Sequence, residues 1–395
     1  MCTATRITTT ASVPTLVALA LLGAGCGNEG DPPVVACDAA SGAICTVAGT
    51  GIAGDGADGL AALATRLYLP QDVTVAPDGR LYIVDWNNHR IRVRDTDGTL
   101  RIVAGIGELG PAADDPATDR LNHPTQVTFD AAGHLVIAAW HNSRIKTVDL
   151  ATGEILDTCG SGARGFAGDG GPAAAAALNL PVAAVFDPAG DMIIADQAND
   201  RLRKVDHATG TISTFAGVGP CLDQTACPAL GDGGPAEAAF VQFVTSAASA
   251  QSARPAGRID VDAQGNVFIA DTLNVRVRKI DTAGIITTVA GNGQLGATGE
   301  GVPATEATLN GLADVAAGPD GSLYIADTAN SCIRVVRSDG IIATLAGRCG
   351  QSGFAGDGGP ANEARLDRPG GIALDADGNL YVADTHNERI RVIYK

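Results

Sequence analysis

An asparagine recurs at positions 88, 142, 199, 274, 330 and 387, each time in a similar stretch, at steps of 54, 57, 75, 56 and 57 residues. A period of this length marks a repeat architecture and constrains the fold more than any local propensity does. The fifth copy, 312–347, reads LADVAAGPDGSLYIADTANSCIRVVRSDGIIATLAG, and the third, 182–217, reads VAAVFDPAGDMIIADQANDRLRKVDHATGTISTFAG. Turn signals divide each copy into four short apolar, β-branched segments, in the fifth copy 314–317, 322–326, 332–336 and 341–346. Pro319-Asp320-Gly321 and Ser338-Asp339-Gly340 supply two of the tight turns. Four antiparallel strands per copy define a propeller blade, and such a sheet, apolar on both faces, is stable only between neighbours. The expected fold is all-β, a six-bladed β-propeller of four-stranded antiparallel blades at approximately 68–105, 122–160, 179–217, 252–291, 309–347 and 366–395.

The sixth copy stops at Lys395 after three strands, and its missing fourth strand stands at the other end of the chain. There ICTVAG at 44–49 matches the fourth-strand endings at 102–105, 288–291 and 344–347. The two ends are expected to complete one blade together, so that a domain spanning 44–395 closes without an open sheet edge.

The segments YIADTANSCIRVV, YVADTHNERIRVI and FIADTLNVRVRKI resemble the signature of NHL repeats. The GDGGPA stretches that begin at Gly168 and Gly356 are similar to those of bacterial NHL-repeat lipoproteins and of the teneurin-type propeller. The resemblance covers residues 44–395 and implies the six-bladed ring. For function it implies only a range, from RNA- and protein-binding modules to an amidating-enzyme lyase domain and more distant hydrolases and lyases.

Charge narrows that range. The chain carries a net charge of −17, which repels a polyanion, so nucleic acid is not expected as a partner. Aromatic residues are only 4% of the sequence, so Val, Ile, Leu and Ala must fill the interior. Residues 1–25 read as a signal peptide, with Arg6, an apolar stretch over 11–24 and small residues before Cys26. That ending resembles the bacterial lipoprotein signal, with Gly23 where the family prefers an aliphatic residue, and implies a lipid on Cys26. Gly27 in place of Asp favours the outer membrane, and residues 26–43 read as a polar tether. The expectation is an extracytoplasmic, monomeric lipoprotein at the outer membrane or cell surface, in contact with membrane through its lipid alone.

In an oxidising compartment the cysteines pair locally as Cys37 with Cys45, Cys221 with Cys227 and Cys332 with Cys349, leaving Cys159 over. Their spacing matches no zinc site. Asp85, Asp196, Asp271, Asp327 and Asp384 each stand three residues before the recurrent Asn88, Asn199, Asn274, Asn330 and Asn387, while Asn142 of the second copy follows Ala139. A carboxylate at that spacing closes a turn, and its loss in one copy argues against a ring of metal or substrate ligands. Basic residues follow at 90, 144, 201, 276 and 389, and again at 92, 146, 203, 278, 334 and 391. They are expected to bridge to those aspartates, with a Cys332–Cys349 bond standing in where the first arginine is replaced.

The connections at 50–67, 106–121, 161–178, 218–252, 292–308 and 348–365 are long and leave on one face with the Asp-to-Asn turns, which makes that face the candidate binding surface. Asp55, Asp169, Asp232 and Asp357 in these loops offer calcium one carboxylate each, far below the six to eight oxygens it takes, so no cofactor or metal is expected. A helix of one or two turns is expected after each GDGGP. The insertion in 218–252, with CLDQTAC and the apolar run FVQFVTSAASA, reads equally as a partner-binding ridge or an excursion. First strands begin at the central channel, which places Asp72, Gln126, Ala183, Arg258, Asp314 and Gly371 around its mouth with His123 nearby. The other histidines, at 89, 134, 141, 207 and 386, fall on scattered turns and are expected to form no set. The reading is a non-catalytic, envelope-anchored scaffold that binds a protein or glycan partner on its loop face. The alternative is an extracytoplasmic hydrolase or lyase, of lactonase or esterase type, using Asp72, Gln126, Asp314, Arg258 and His123.

Overall fold

Six antiparallel sheets stand in a ring, four joining their strands in chain order and two, blades 1 and 6, adding a strand from earlier in the chain at the outer edge. The computed structural model describes residues 37, 39–110, 120–221, 227–243 and 254–395. The expected signal at 1–25 and the lipid site Cys26 lie outside the described residues, as do most of the tether and part of the 218–252 loop. The first strands, Asp72–Val75, Gln126–Phe129, Pro181–Phe186, Ile259–Val261, Asp314–Ala317 and Ile372–Leu374, pack on one another in succession, and the sixth packs on the first. They therefore line the axis.

The sixth sheet is completed by Ile44–Ala48, antiparallel to Arg389–Ile393 with Ile44 opposite Ile393. Blade 1 gains a short fifth strand, Leu60–Ala61, on its outer edge. Branched aliphatic side chains of adjacent sheets make the core, for example Val84 and Ile91 of blade 1 with Val127, Leu135 and Ile137 of blade 2. The second strand of blade 5 runs Leu323–Asp327, one residue later than expected, because the Ser322 N–H is drawn into the turn by Asp320 Oδ1.

The GDGGP loops form a single 3-10 turn each, Ala173–Ala175, Ala236–Ala238 and Ala361–Glu363, shorter than a two-turn helix. Proline sits at the cap position before the turn, in extended geometry. Gly168 has φ of 96°, and a side chain there would bring Cβ within 2.7 Å of the Ala176 backbone, so the bend demands glycine.

The recurrent polar residues hold blades together, as blade 4 illustrates. Asp271 is fully buried; its Oδ1 accepts the Gln242 N–H at 2.8 Å and its Oδ2 accepts Asn274 Nδ2 at 3.0 Å. Arg278, also buried, spans from Asp271 at 3.2 Å to loop residue Asp232 at 2.8 Å, whose other oxygen accepts the Thr288 hydroxyl at 2.7 Å. Asp169 and Asp357 repeat this in blades 3 and 6, so their oxygens are taken by arginine and threonine.

The first arginine of each pair departs from expectation. Arg144, Arg201 and Arg276 donate to the carbonyls of Ser161, Val218 and Asn292, just past the fourth strand. The aspartate holds an N–H, an amide and the second arginine, and the first arginine meets the carbonyls past the fourth strand instead. Blade 5 puts the Cys332–Cys349 disulfide across the same two segments, and Cys37–Cys45 and Cys221–Cys227 are bonded as well. Cys159 is buried, with Sγ 3.6 Å from the Ala173 carbonyl. In blade 2, which lacks the aspartate, Asn142 Oδ1 itself accepts the Asn122 N–H at 2.8 Å.

Candidate functional site

The innermost strands cannot continue the ladder from blade to blade, so backbone groups at their inner ends need other partners. Side chains at the mouth positions supply them. Val127 N–H donates to Asp72 Oδ2 at 3.1 Å, Ala184 N–H to Gln126 Oε1 at 2.7 Å, and Ile372 N–H to Asp314 Oδ2 at 2.9 Å. Each bond links one blade to the next. Gly371 N–H closes the circle on the Gln71 carbonyl, and only glycine fits there, because a Cβ would lie 1.9 Å from Asp72 Oδ1.

Arg258 belongs to blade 4 and is fully buried, yet its Nη2 donates to the carbonyls of Thr125 at 2.7 Å and Gln71 at 3.0 Å in blades 2 and 1. It crosses the axis and makes a throat. On one side lies a cavity of about 300 Å3 lined by Asp72, Asp260 and Asp314. On the other, toward the loop face, a vestibule of about 330 Å3 is lined by Gln71, Ala313 and Gly370, each one residue before a member of the ring, and by Leu69, Trp86, Arg254, Pro255, Arg368 and His386.

The sequence profile of the NHL repeat matches residues 67–93, 309–336 and 366–393, which span the first three strands of blades 1, 5 and 6. The chain is an NHL-repeat β-propeller. It is 26% identical to chicken (Gallus gallus) teneurin-1 over 357 residues, which cover 84% of this chain and 13% of the teneurin. It is 31% identical to mouse (Mus musculus) NHL repeat-containing protein 3 over 164 residues, 36% of this chain and 45% of that one. The chain thus spans a small part of the teneurin's length. A crystal structure of an auxiliary nutrient binding protein from Bacteroides thetaiotaomicron aligns with a TM-score of 0.62 at 16% identity, covering 88% of this chain and 75% of that one, and shares the fold.

Burial dominates the titration of the NHL propeller's throat. It pushes Asp314 up to about 8 and Asp72 up to about 6, while Arg258 pulls both back. Asp314, pushed the further of the two, holds its proton to higher pH than Asp72, and Arg258 favours the ionised form of each. Asp260, facing the cavity, is pushed by burial up to about 6 with no cation beside it, and its Oδ2 accepts the Ala317 N–H. Because its folded pKa lies above the unfolded value, stability falls as pH rises through about 4 to 6. Asp260→Asn keeps an acceptor for Ala317 and removes the charge. The variant is expected to match the parent in urea melts at pH 4 and to exceed it by about 2 kcal/mol at pH 8; equal stability at both pH values contradicts this.

His89 and His141, expected on scattered turns, meet His123, expected near the channel mouth, at the seam of blades 1 and 2. Ring centroids lie 4.4 Å apart for His89–His123 and 4.9 Å for His123–His141, flanked by Trp86 and Trp140. Burial and its two neighbours push His123 down to about 3. The His123 N–H donates to His89 Nδ1 at 3.3 Å, which is one instance of a recurring bond. In blades 3, 5 and 6 the left-handed residue after the recurrent Asn likewise accepts an N–H of the next blade: Asp200 from Phe243, Ser331 from Arg368 and Glu388 from Leu69. Four different residue types do this job while Ser143 and Val275 hold the position without it, so the pattern is invisible to identity and visible only as position. His134 and His207 lie apart from the seam, each beside an aspartate. Among the described residues no group of His, Cys, Asp and Glu is placed to hold a metal ion.

The insertion is also corrected where it is described. Val241 and Phe243 are buried in the core between blades 3 and 4, and Val241 precedes the capped Gln242 as Leu178 precedes Asn179. These residues are wall, not ridge; 244–253 lie outside the described residues.

Proposed function

We propose that this NHL propeller is a non-catalytic binding module, held outside the cytoplasm by a lipid on Cys26, that presents its loop face to a glycan or protein partner. One observation carries the binding reading. The recurrent Asp, Asn and Arg side chains, with the throat carboxylates, are spent on bonds within and between blades, while the open vestibule keeps a buried donor without an acceptor at Trp86 Nε1. A nutrient-binding role is how one solved propeller of this fold is described, and it agrees with that reading. Purified protein on a glycan array is expected to bind a defined subset of structures; an array without signal, together with no partner at micromolar concentration among isolated envelope proteins, removes the proposal. The anchor predicts detergent-phase partitioning that Cys26→Ser abolishes, and equal partitioning of both forms rejects it.

The second reading is an extracytoplasmic hydrolase or lyase. It is supported by the raised carboxyls of Asp72 and Asp314 beside a cavity, a pattern common at catalytic sites. Against it stand the backbone amides that occupy those carboxylates. Turnover of a lactone, ester or glycoside, lost in Asp72→Ala with Asp314→Ala, reverses the ranking.

A further inference from the structure

The chain's net charge is −17, yet among the described residues no acid lines the vestibule. Its charged walls are Arg254 and Arg368, joined by His386, and its apolar walls are Leu69, Trp86, Pro255 and Ala313. The two threonines in the lining are committed elsewhere: the Thr328 hydroxyl donates to the Pro369 carbonyl at 2.7 Å and that of Thr385 to Pro70 at 2.8 Å. Arg368 occupies the left-handed position before proline that Leu69, His123 and Leu180 fill in other blades, with φ of 48°. An arginine in that backbone conformation is uncommon, and here it brings a guanidinium to the rim of the axis.

Among the residues that line the vestibule, the buried side-chain atom left without a partner is a donor, Trp86 Nε1. Donors alone call for a ligand that brings acceptors alone at that point, and an ionised carboxylate is such a group. A volume of about 330 Å3 is at the small end of ligand pockets, the size of one ring rather than an extended chain.

We infer that the vestibule binds a carboxylate carried on a six-membered ring, such as a hexuronic acid, with Arg254 and Arg368 taking the carboxylate and the apolar walls taking the ring. This deepens the binding reading and rests on it. Trp86 lines the site while Trp140 is buried with its indole bonded to Gln197, so ligand binding is read by tryptophan fluorescence and by calorimetry. The probes are galacturonate, glucuronate, cyclohexanecarboxylate, the methyl ester of galacturonate, and galactose. Both uronates are expected to bind, with the ester and galactose at least tenfold weaker and the affinity falling with salt. Binding of cyclohexanecarboxylate equal to the uronates assigns the site to ring carboxylates in general, whereas its failure assigns it to acidic sugars. Arg368→Gln is expected to weaken uronate binding at least tenfold; should it fail to fold, Arg254→Gln, at an exposed side chain, is expected to do the same with an unchanged melting curve. Equal affinity for acid and ester, or no binding of any carboxylate, overturns the inference. In the latter case a positive glycan array leaves the broader binding reading intact.

Discussion

Deleting residues 44–48 is expected to abolish the cooperative thermal transition of the entire ring, while a circular permutant that moves the same strand behind Lys395 melts within a few degrees of the parent. The strand carries Ile44, Cys45 and Ala48, all buried, and pairs along Arg389–Ile393. Thr46 also donates its hydroxyl to Asp357, tying the strand to the loop between blades 5 and 6. Losing those side chains removes about 5 kcal/mol of burial, before the unpaired backbone is counted. Net stability of a folded domain is only about 5–15 kcal/mol, so the loss is of the same order as the whole. The permutant is geometrically easy, since Ile44 faces Ile393 and a short hairpin joins the ends, with new termini in the exposed 50–59 loop. Scanning calorimetry decides: a deletion that melts like the parent, or a permutant that melts like the deletion, contradicts closure by the two chain ends.

Arg258→Met is expected to lower the unfolding free energy by about 3–5 kcal/mol at pH 8 and by about 1 kcal/mol at pH 5. In the parent, Asp72 and Asp314 have pKa values raised by burial to about 6 and about 8, against 3.8 for an ordinary aspartate. The folded state therefore holds protons that the unfolded state has released, and stability falls as pH rises through that window. Arg258 limits the fall by favouring the ionised forms. Without it both carboxyls shift further up, so at pH 8 the folded variant must take up protons or bury a carboxylate with no cation beside it, whereas at pH 5 both groups are neutral with or without the arginine. Urea melts at the two pH values measure the difference. A loss of equal size at both removes the electrostatic account of the throat and leaves only the hydrogen bonds to Thr125 and Gln71.

Much of the ring was legible in the sequence because its devices are local. Asp, Asn and Arg at fixed offsets close a turn and pin a loop whichever blade they occupy, and Cys332 with Cys349 marks the one blade that solves the same problem covalently. The arginine partners were less legible. Arg201 and Arg203 start from the same strand with the same charge, yet one ends on a carbonyl and the other between two carboxylates. Which it is depends on the loop group each guanidinium meets in the assembled blade, the Val218 carbonyl for Arg201 and the Asp169 carboxylate for Arg203. The histidine seam was illegible for another reason. His89, His123 and His141 sit at three different positions of the repeat, and only the stacking of blade 1 on blade 2 brings them into contact.

By itself the sequence determined the number of blades, their strand order and the joining of the two ends, because turn glycines, alternating apolar residues and a displaced fourth strand act over a few residues or by plain repetition. The tertiary structure decided what happens at the axis. There six chain segments converge, and the length of one arginine side chain, the absence of a Cβ at Gly371 and the loss of water around Asp72 and Asp314 set both the throat and the charge of the chamber above it. Desolvation and reach across a closed ring are properties of the assembled blades, and no single repeat contains them.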